Sequence, residues 1–362
     1  MQKIELMAPA GNFESMQAAL ENGADSIYFG VEQLNMRARA TINFTLEDLP
    51  EIVKRCEAKN VRTYLTLNTI IYDHDLSIVK TLIKQAKQAN VTAVIAMDQA
   101  VIAVAREHNM EVHISTQINI TNIETVKFYA LFADTMVLSR ELSLRQVKYI
   151  RGACKQNCRK KYTVIDQETG VEMELDNEYI MSPKDLCTID FLDQVADAGI
   201  KVLKIEGRGR APEYVAKVIK CYREAIDSIA IDNYSKEQVI SWVQELEKVY
   251  NRGFWSGYYL GQKLGEWSKG SGSHTTQKKV YIGKGVHFYP KAKVGEFKIE
   301  AYDLSIDDTI LITGPTTGAK EFQLKQMLVN DEQLLKGTKG DSITIPLDFR
   351  IRPSDKLYKI VE

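Results

Sequence analysis

A parallel α/β sheet followed by a small all-β unit is the fold this 362-residue chain predicts. Two observations carry that reading. Through the first two thirds, short β-branched runs alternate with amphipathic stretches in strict β-then-α order, and from Lys278 onward the hydrophobic period switches to two with glycine punctuation. Strict βα order implies right-handed crossovers, and seven clear units suit a TIM-like (β/α)8 barrel, with an open doubly wound sheet as the alternative.

The elements follow in order. Lys3-Ile4-Glu5-Leu6-Met7 leads through Ala8-Pro9-Ala10-Gly11 to a helix from Asn12, a suitable N-cap, to the stop at Gly23. Strands at Ser26–Phe29, Arg62–Leu67 and Ala93–Met97 precede helices from Leu46, over Leu76–Ala89 and over Gln99–His108. Glu111–Ser115 precedes Ile123–Leu131, Thr135–Leu138 precedes Leu144–Ile150, and Lys201–Ile205 precedes a long helix from Pro212 to Ser228. One strand is wanting: between Ile150 and a helix expected to open at Ser182-Pro183 there is only a hairpin pattern turning at Glu168-Thr169-Gly170. The expected organisation is a barrel over residues 1–266, a linker over 267–277 and a small β-barrel over 278–362.

Composition narrows the class. A hydrophobic fraction of 44% with 26% charged residues describes an ordinary globular protein, and a net charge of −1 removes a whole-molecule electrostatic footprint for nucleic acid, though not a local one. No apolar run reaches the roughly 20 residues of a membrane helix. The N-terminus lacks a secretory pattern, so a cytoplasmic location without membrane association is expected, where cysteines serve metals or catalysis more often than disulfides.

Barrel chemistry sits where strands end. Asn68, Asp98, Gln117, the pair Arg140-Glu141 and the run Glu206-Gly207-Arg208 stand just past strand ends, while Arg37 and Asn43 lie in the loop after the second strand. Convergence would make one polar pocket whose arginines suit a carboxylate-bearing ligand. Arg140, Glu141, Glu206 and Arg208 are the expected catalytic set, with Arg37, Asn68 and Gln117 binding substrate. The competing reading makes Asp98 a helix cap and the arginine–glutamate groups structural ion pairs.

Of the five cysteines, Cys56 and Cys221 fall in helical patterns and read as packing residues. Cys154 and Cys158 stand among Arg151, Lys155, Arg159, Lys160 and Lys161 with no acid, a setting that favours thiolate. Together with Cys187 they are candidate ligands for an iron–sulfur cluster, zinc being the competitor, and either metal lacks a fourth ligand here. Neither His-Glu-x-x-His, Gly-x-Ser-x-Gly nor a Walker or Rossmann glycine pattern occurs. A Cys–His pair using His113 stays open, beside a core-histidine reading. Lys269, Lys278, Lys279, Lys284, Lys291 and Lys293, interleaved with Trp267, Tyr281, Phe288 and Tyr289, form either an RNA surface or ordinary solvated strand faces.

Leu6-Met7-Ala8-Pro9-Ala10-Gly11, Tyr28-Phe29-Gly30, His113-Ile114-Ser115-Thr116-Gln117, Leu138-Ser139-Arg140-Glu141-Leu142, Arg151-Gly152-Ala153-Cys154 with Cys158-Arg159, Ser182-Pro183-Lys184-Asp185-Leu186-Cys187 and Lys204-Ile205-Glu206-Gly207-Arg208 together resemble peptidase family U32 over nearly the whole chain. The resemblance is nearest to the tRNA 5-hydroxyuridine branch. It implies oxygen-independent hydroxylation of wobble uridine in tRNA, a [4Fe–4S] cluster on four cysteines, prephenate as oxygen source and a paralogous partner subunit. The older collagenase-like peptidase activity and a non-catalytic RNA-binding role are the alternatives. The chain departs from the family pattern at one place. A stretch ending in His-Gly-Ala, followed by two cysteines around Tyr-Ser-Gly, is expected before Arg151-Gly152, yet Tyr149-Ile150 runs directly into it.

Overall fold

The computed structural model describes residues 3–31, 34–35, 44–149, 184–262, 266–268 and 272–362, with the backbone of 164–165 and 172–173. Strands β1 (Glu5–Pro9), β2 (Ser26–Phe29), β3 (Arg62–Leu67), β4 (Ala93–Ala96), β5 (Glu111–Ile114) and β6 (Thr135–Met136) alternate with helices α1 (Phe13–Glu21), α2 (Leu49–Glu57), α3 (Leu76–Gln88), α4 (Gln99–Glu107), α5 (Ile123–Tyr129) and α6 (Leu144–Tyr149). A short antiparallel pair, β7 (Val164–Ile165) with β8 (Glu172–Met173), matches the expected hairpin. Then come β9 (Asp185–Leu186), α7 (Leu192–Asp197), β10 (Val202–Lys204), α8 (Pro212–Ala230), α9 (Lys236–Glu247) and β11 (Phe254–Trp255).

Seven parallel strands run in the order β10-β1-β2-β3-β4-β5-β6. A doubly wound sheet reverses its strand order at a switch point. Here the order only advances, and the last strand comes back to pair with the first, Glu5 opposite Val202 and Met7 opposite Lys204. The result is a TIM-like half-barrel. Its two described edges, β6 and β10, flank in sequence the stretch where a strand was wanting.

Local chemistry explains the helices. Asn12 accepts from the Ser15 amide to cap α1, Asp98 does the same for α4 through Ala100, and Ser235 with Gln238 forms a capping box on α9. Pro212 opens α8, where its missing N–H costs nothing. Alternation in the strands separates two cores. Leu6, Ala8, Ile27 and Leu65 face the helices, whereas Met7, Tyr28, Tyr64, Ala93 and Ile95 fill the inside of the curl.

The segment at Cys187 corrects the sequence reading. From Lys184 the chain is extended, not helical: β9 pairs in parallel with β11, and the next helix begins only at Leu192. Asp185 explains the difference, because Arg252 grips its carboxylate at 2.6 and 3.0 Å while the Asp185 and Cys187 amides donate to Gly253 and Trp255 carbonyls. Cys187 therefore gains nothing from a helix N-terminus.

The remaining strands are β12 (Lys278–Tyr289), β13 (Val294–Ile299), β14 (Leu304–Ser305), β15 (Thr309–Gly314), β16 (Gly318–Gln323), β17 (Leu328–Val329), β18 (Lys336–Gly337), β19 (Ser342–Pro346) and β20 (Lys356–Val361). Seven of them form an antiparallel sheet, β16-β15-β20-β12-β13-β19-β17, over its own core of Ile282, Phe297, Ile310, Ile312, Ile343 and Leu357. This sheet rests on α1 and α8. Lys320 pairs with Glu21 at 2.6 Å, Lys279 with Glu213 at 2.7 Å, and Lys217 reaches both Glu245 and Glu321 at 3.0 and 3.2 Å. Gly318 adopts φ +68° against α1, where a Cβ would lie 3.1 Å from the Ala18 amide nitrogen.

Candidate active site

The C-terminal ends of β1, β2, β3 and β10 gather one cluster around Arg208. The side chain is buried, 6% exposed, although it follows a strand end by four residues. Its Nη1 donates to Thr66 Oγ1 at 2.8 Å and to Asn35 Oδ1 at 3.2 Å, and its guanidinium lies 5.9 Å from the Tyr28 ring centroid. Two glycines make room for it. A Cβ on Gly11 would sit 2.0 Å from the Arg208 carbonyl oxygen, and one on Gly30 would sit 2.6 Å from Nη1. The Ala10-Gly11 and Phe29-Gly30 pairs are thus spacers that let one arginine enter.

Glu206 stands beside it. Lys204 pairs with Glu206 Oε1 at 2.7 Å and places its ammonium 4.3 Å over the Tyr28 ring, while the Tyr28 hydroxyl lies 3.2 Å from Glu206 Oε2 and donates to the Ile205 carbonyl at 2.9 Å. Tyr28 is therefore flanked by two cations and a carboxylate. Thr66 is held in turn by donating to the Phe29 carbonyl at 2.8 Å.

A second group forms at β3 and β5. Asn68 Nδ2 reaches Gln117 Oε1 at 3.2 Å and Ser115 Oγ at 3.4 Å, and the Ser115 hydroxyl donates to Gln117. After β6 the Ser139 hydroxyl donates to Glu141, which is exposed, and Arg140 is half-buried. Asp98 caps α4 and also accepts from the Ile71 amide at 3.2 Å, so it serves the backbone. Arg37 and Asn43 lie outside the described residues. Sequence reasoning passed over Tyr28, Asn35, Thr66 and Lys204. The inward alternation of β2, β3 and β10 was a usable signal, since it aims Tyr28, Thr66 and Lys204 at the same space.

Cys187 is buried in the barrel core, and burial pushes its thiol up to about 11. Its polar neighbour is the Tyr222 hydroxyl at 3.9 Å, itself 3.1 Å from the Thr188 amide. Cys154 and Cys158 lie outside the described residues, and among the described residues no three of His, Cys, Asp and Glu converge to hold a metal. The residues in view do not by themselves fit an iron–sulfur cluster. Cys56 and Cys221 are buried packing residues, each pushed up to about 12 by burial.

The opposite end of the sheet carries a different network. Arg62, at the start of β3, pairs with Glu111 at 2.6 Å and Glu5 at 3.2 Å, and the Tyr64 hydroxyl donates to Glu5 at 2.6 Å. His113, 1% exposed, places Nε2 2.8 Å from Glu111 Oε1, so that nitrogen carries the proton. These contacts hold Glu111 at about 2, the hydrogen bond from His113 contributing most and Arg62 next, against burial. His113 is thus engaged with Glu111 and Cys187 with Tyr222. The two do not form a nucleophile–base pair.

A half-barrel with charged groups collected at its strand ends is the architecture of a barrel enzyme. The family model for peptidase family U32 matches residues 11–151 and 149–269, and the chain belongs to that family. A collagenase of Porphyromonas gingivalis is 44% identical, covering 98% of this chain and 97% of its own. A tRNA hydroxylation protein of Bacillus subtilis is 29% identical over 74% of this chain and 75% of that protein. A 23S rRNA 5-hydroxycytidine synthase of Escherichia coli is 27% identical over 73% of this chain and 46% of that protein. The solved structure of a U32 peptidase matches 41% of this chain and 63% of that one at 14% identity, with a TM-score of 0.33. The two matched stretches of the family model meet at residues 149–151, where Tyr149-Ile150 runs into Arg151-Gly152. The 403 positions aligned with the collagenase exceed the 362 residues of this chain, so that relative carries residues absent here.

Proposed function

We propose that the chain is an RNA-modifying enzyme that replaces C5–H of a pyrimidine nucleoside by C5–OH, with the wobble uridine of tRNA as its target. The observation that carries this reading is the cluster of Arg208, Lys204 and Glu206 around Tyr28 at the strand ends. Relatives named for tRNA and rRNA hydroxylation support it. In this reading Arg208 and Lys204 bind a carboxylate-bearing co-substrate such as prephenate, whose C–O bond breaks as the oxygen passes to C5 and whose carbon takes up the hydrogen and the electron pair. Asn68 and Gln117 offer amide groups suited to a nucleobase edge, and Arg140 and Glu141 lie on the next loop. A [4Fe–4S] cluster would require Cys154 and Cys158 to meet Cys187, and no step of this reading passes through one. Iron and sulfide analysis of anaerobically purified protein tests that ligand set.

Nucleoside mass spectrometry of RNA from a strain lacking this gene tests the function itself. Loss of 5-hydroxyuridine derivatives from tRNA is expected; an unchanged nucleoside profile would refute it. The peptidase reading draws on the higher identity to a protein named collagenase. Gelatin cleavage by the purified protein, abolished by changing His113, would favour that reading.

A further inference from the structure

Arg210, two residues beyond Arg208, is held by aromatic rings. Its guanidinium lies 3.4 Å from the Tyr250 ring centroid and 5.8 Å from that of Tyr214. Its backbone is fixed at both ends: the amide donates to the Gly207 carbonyl at 2.8 Å, and its carbonyl accepts from Ser15 Oγ at 3.4 Å. Tyr214 ties the platform to the site, since its hydroxyl donates to the Glu206 carbonyl at 3.1 Å. Among the described residues no carboxylate pairs with Arg210, whereas Arg62, Arg223 and Arg252 all have one. Stacking occupies a face of the guanidinium and leaves its in-plane N–H donors for a ligand.

The surroundings continue the feature. The His274 amide donates to the Asn251 carbonyl at 2.7 Å and the Thr276 amide to the Glu247 carbonyl at 3.1 Å, so residues 274–276 run alongside the loop that carries Tyr250. That track ends at Lys278, exposed and without a carboxylate partner among the described residues, next to Lys279, which pairs with Glu213 in the first turn of α8. A cation on a tyrosine shelf at the barrel mouth thus leads to a lysine at the start of β12.

We propose that Arg210, supported by Tyr250, binds an RNA backbone phosphate beside the target nucleotide, and that RNA crosses the seam between the barrel mouth and β12. This rests on the RNA reading above and names the surface that reading would use. Arg210 is a positioning residue: it binds the RNA but does not touch the reacting atoms.

The test is fluorescence anisotropy of bulk tRNA from a strain lacking the gene, bound to the full-length protein across a salt series, a readout that does not depend on turnover. Arg210→Ala is expected to weaken binding about tenfold and to lower the slope of log K against log salt by about 0.9, the value for one phosphate contact on a duplex, or about 0.7 on single-stranded RNA. Arg210→Lys keeps the charge and so the slope, with an intermediate affinity. Tyr250→Leu removes the shelf and weakens binding with the slope unchanged. Thermal unfolding of each variant separates these effects from misfolding. Wild-type affinity and slope in Arg210→Ala would overturn the inference alone. Failure of the wild-type protein to bind tRNA would overturn the RNA reading with it.

Discussion

The two ends of the parallel sheet arrange the same kinds of side chain differently. At the N-terminal end Arg62 sits between Glu5 and Glu111, with Tyr64 and His113 completing the network, so cation meets carboxylate. At the C-terminal end Lys204 also meets Glu206, while the contacts of Arg208 include a hydroxyl, an amide and a ring, and Arg210 meets two rings. Compensated charge fixes structure. At Arg210 the guanidinium rests on tyrosine rings instead, an arrangement that leaves in-plane N–H donors for an anion that arrives.

Breaking the upper cluster should have the largest effect. Arg208→Ala leaves Thr66 and Asn35 without a buried donor and removes the fixed cation; a loss of modification activity on the order of a hundredfold or more is expected, measured by nucleoside mass spectrometry of tRNA treated in vitro. Gly30→Ala should act almost as strongly, because the new Cβ occupies space now taken by Nη1. Its signature is activity lost with little change in the thermal midpoint.

The lower network should respond in stability. Arg62→Met strands two carboxylates and is expected to cost about 1–3 kcal/mol, read from denaturant unfolding, while leaving nucleoside modification largely intact. Glu111 adds a pH signature. Its value in the folded protein, about 2, lies below the ordinary 4.5, so its ionised form stabilises the fold above about pH 4.5 and that contribution fades as pH falls from 4.5 towards 2. Glu111→Gln should abolish this part of the acid dependence; equal acid titrations for variant and wild type would remove Glu111 from the account.

The smallest effect is expected at the seam between the two sheets. Lys320→Ala breaks a partly exposed pair with Glu21 and should cost about 0.5 kcal/mol. A loss several times larger would mean the second sheet depends on that single contact.

Much of the fold was legible because period and caps are local signals. The βα alternation, Asn12 and Asp98 as caps, and the hairpin at Val164–Ile165 and Glu172–Met173 all follow from neighbouring residues. Helix α9 escaped notice although Ser235 and Gln238 form a capping box. Ser182-Pro183 looked like a helix start, yet the distant Arg252 draws Asp185 into a strand. Of the candidate site, Glu206, Arg208, Asn68 and Gln117 were legible as polar residues that follow the ends of β10, β3 and β5 within a few positions. Tyr28, Asn35, Thr66 and Lys204 were not, because their importance lies in what they touch across the sheet.

One complementation experiment tests the central claim, that the two ends of this sheet divide function from structure. A strain lacking the gene is given the Arg208→Lys or the Arg62→Met variant at matched soluble levels, and 5-hydroxyuridine derivatives in tRNA are counted. The account predicts that Arg62→Met restores them and Arg208→Lys does not. Restoration by Arg208→Lys together with failure of Arg62→Met would contradict it.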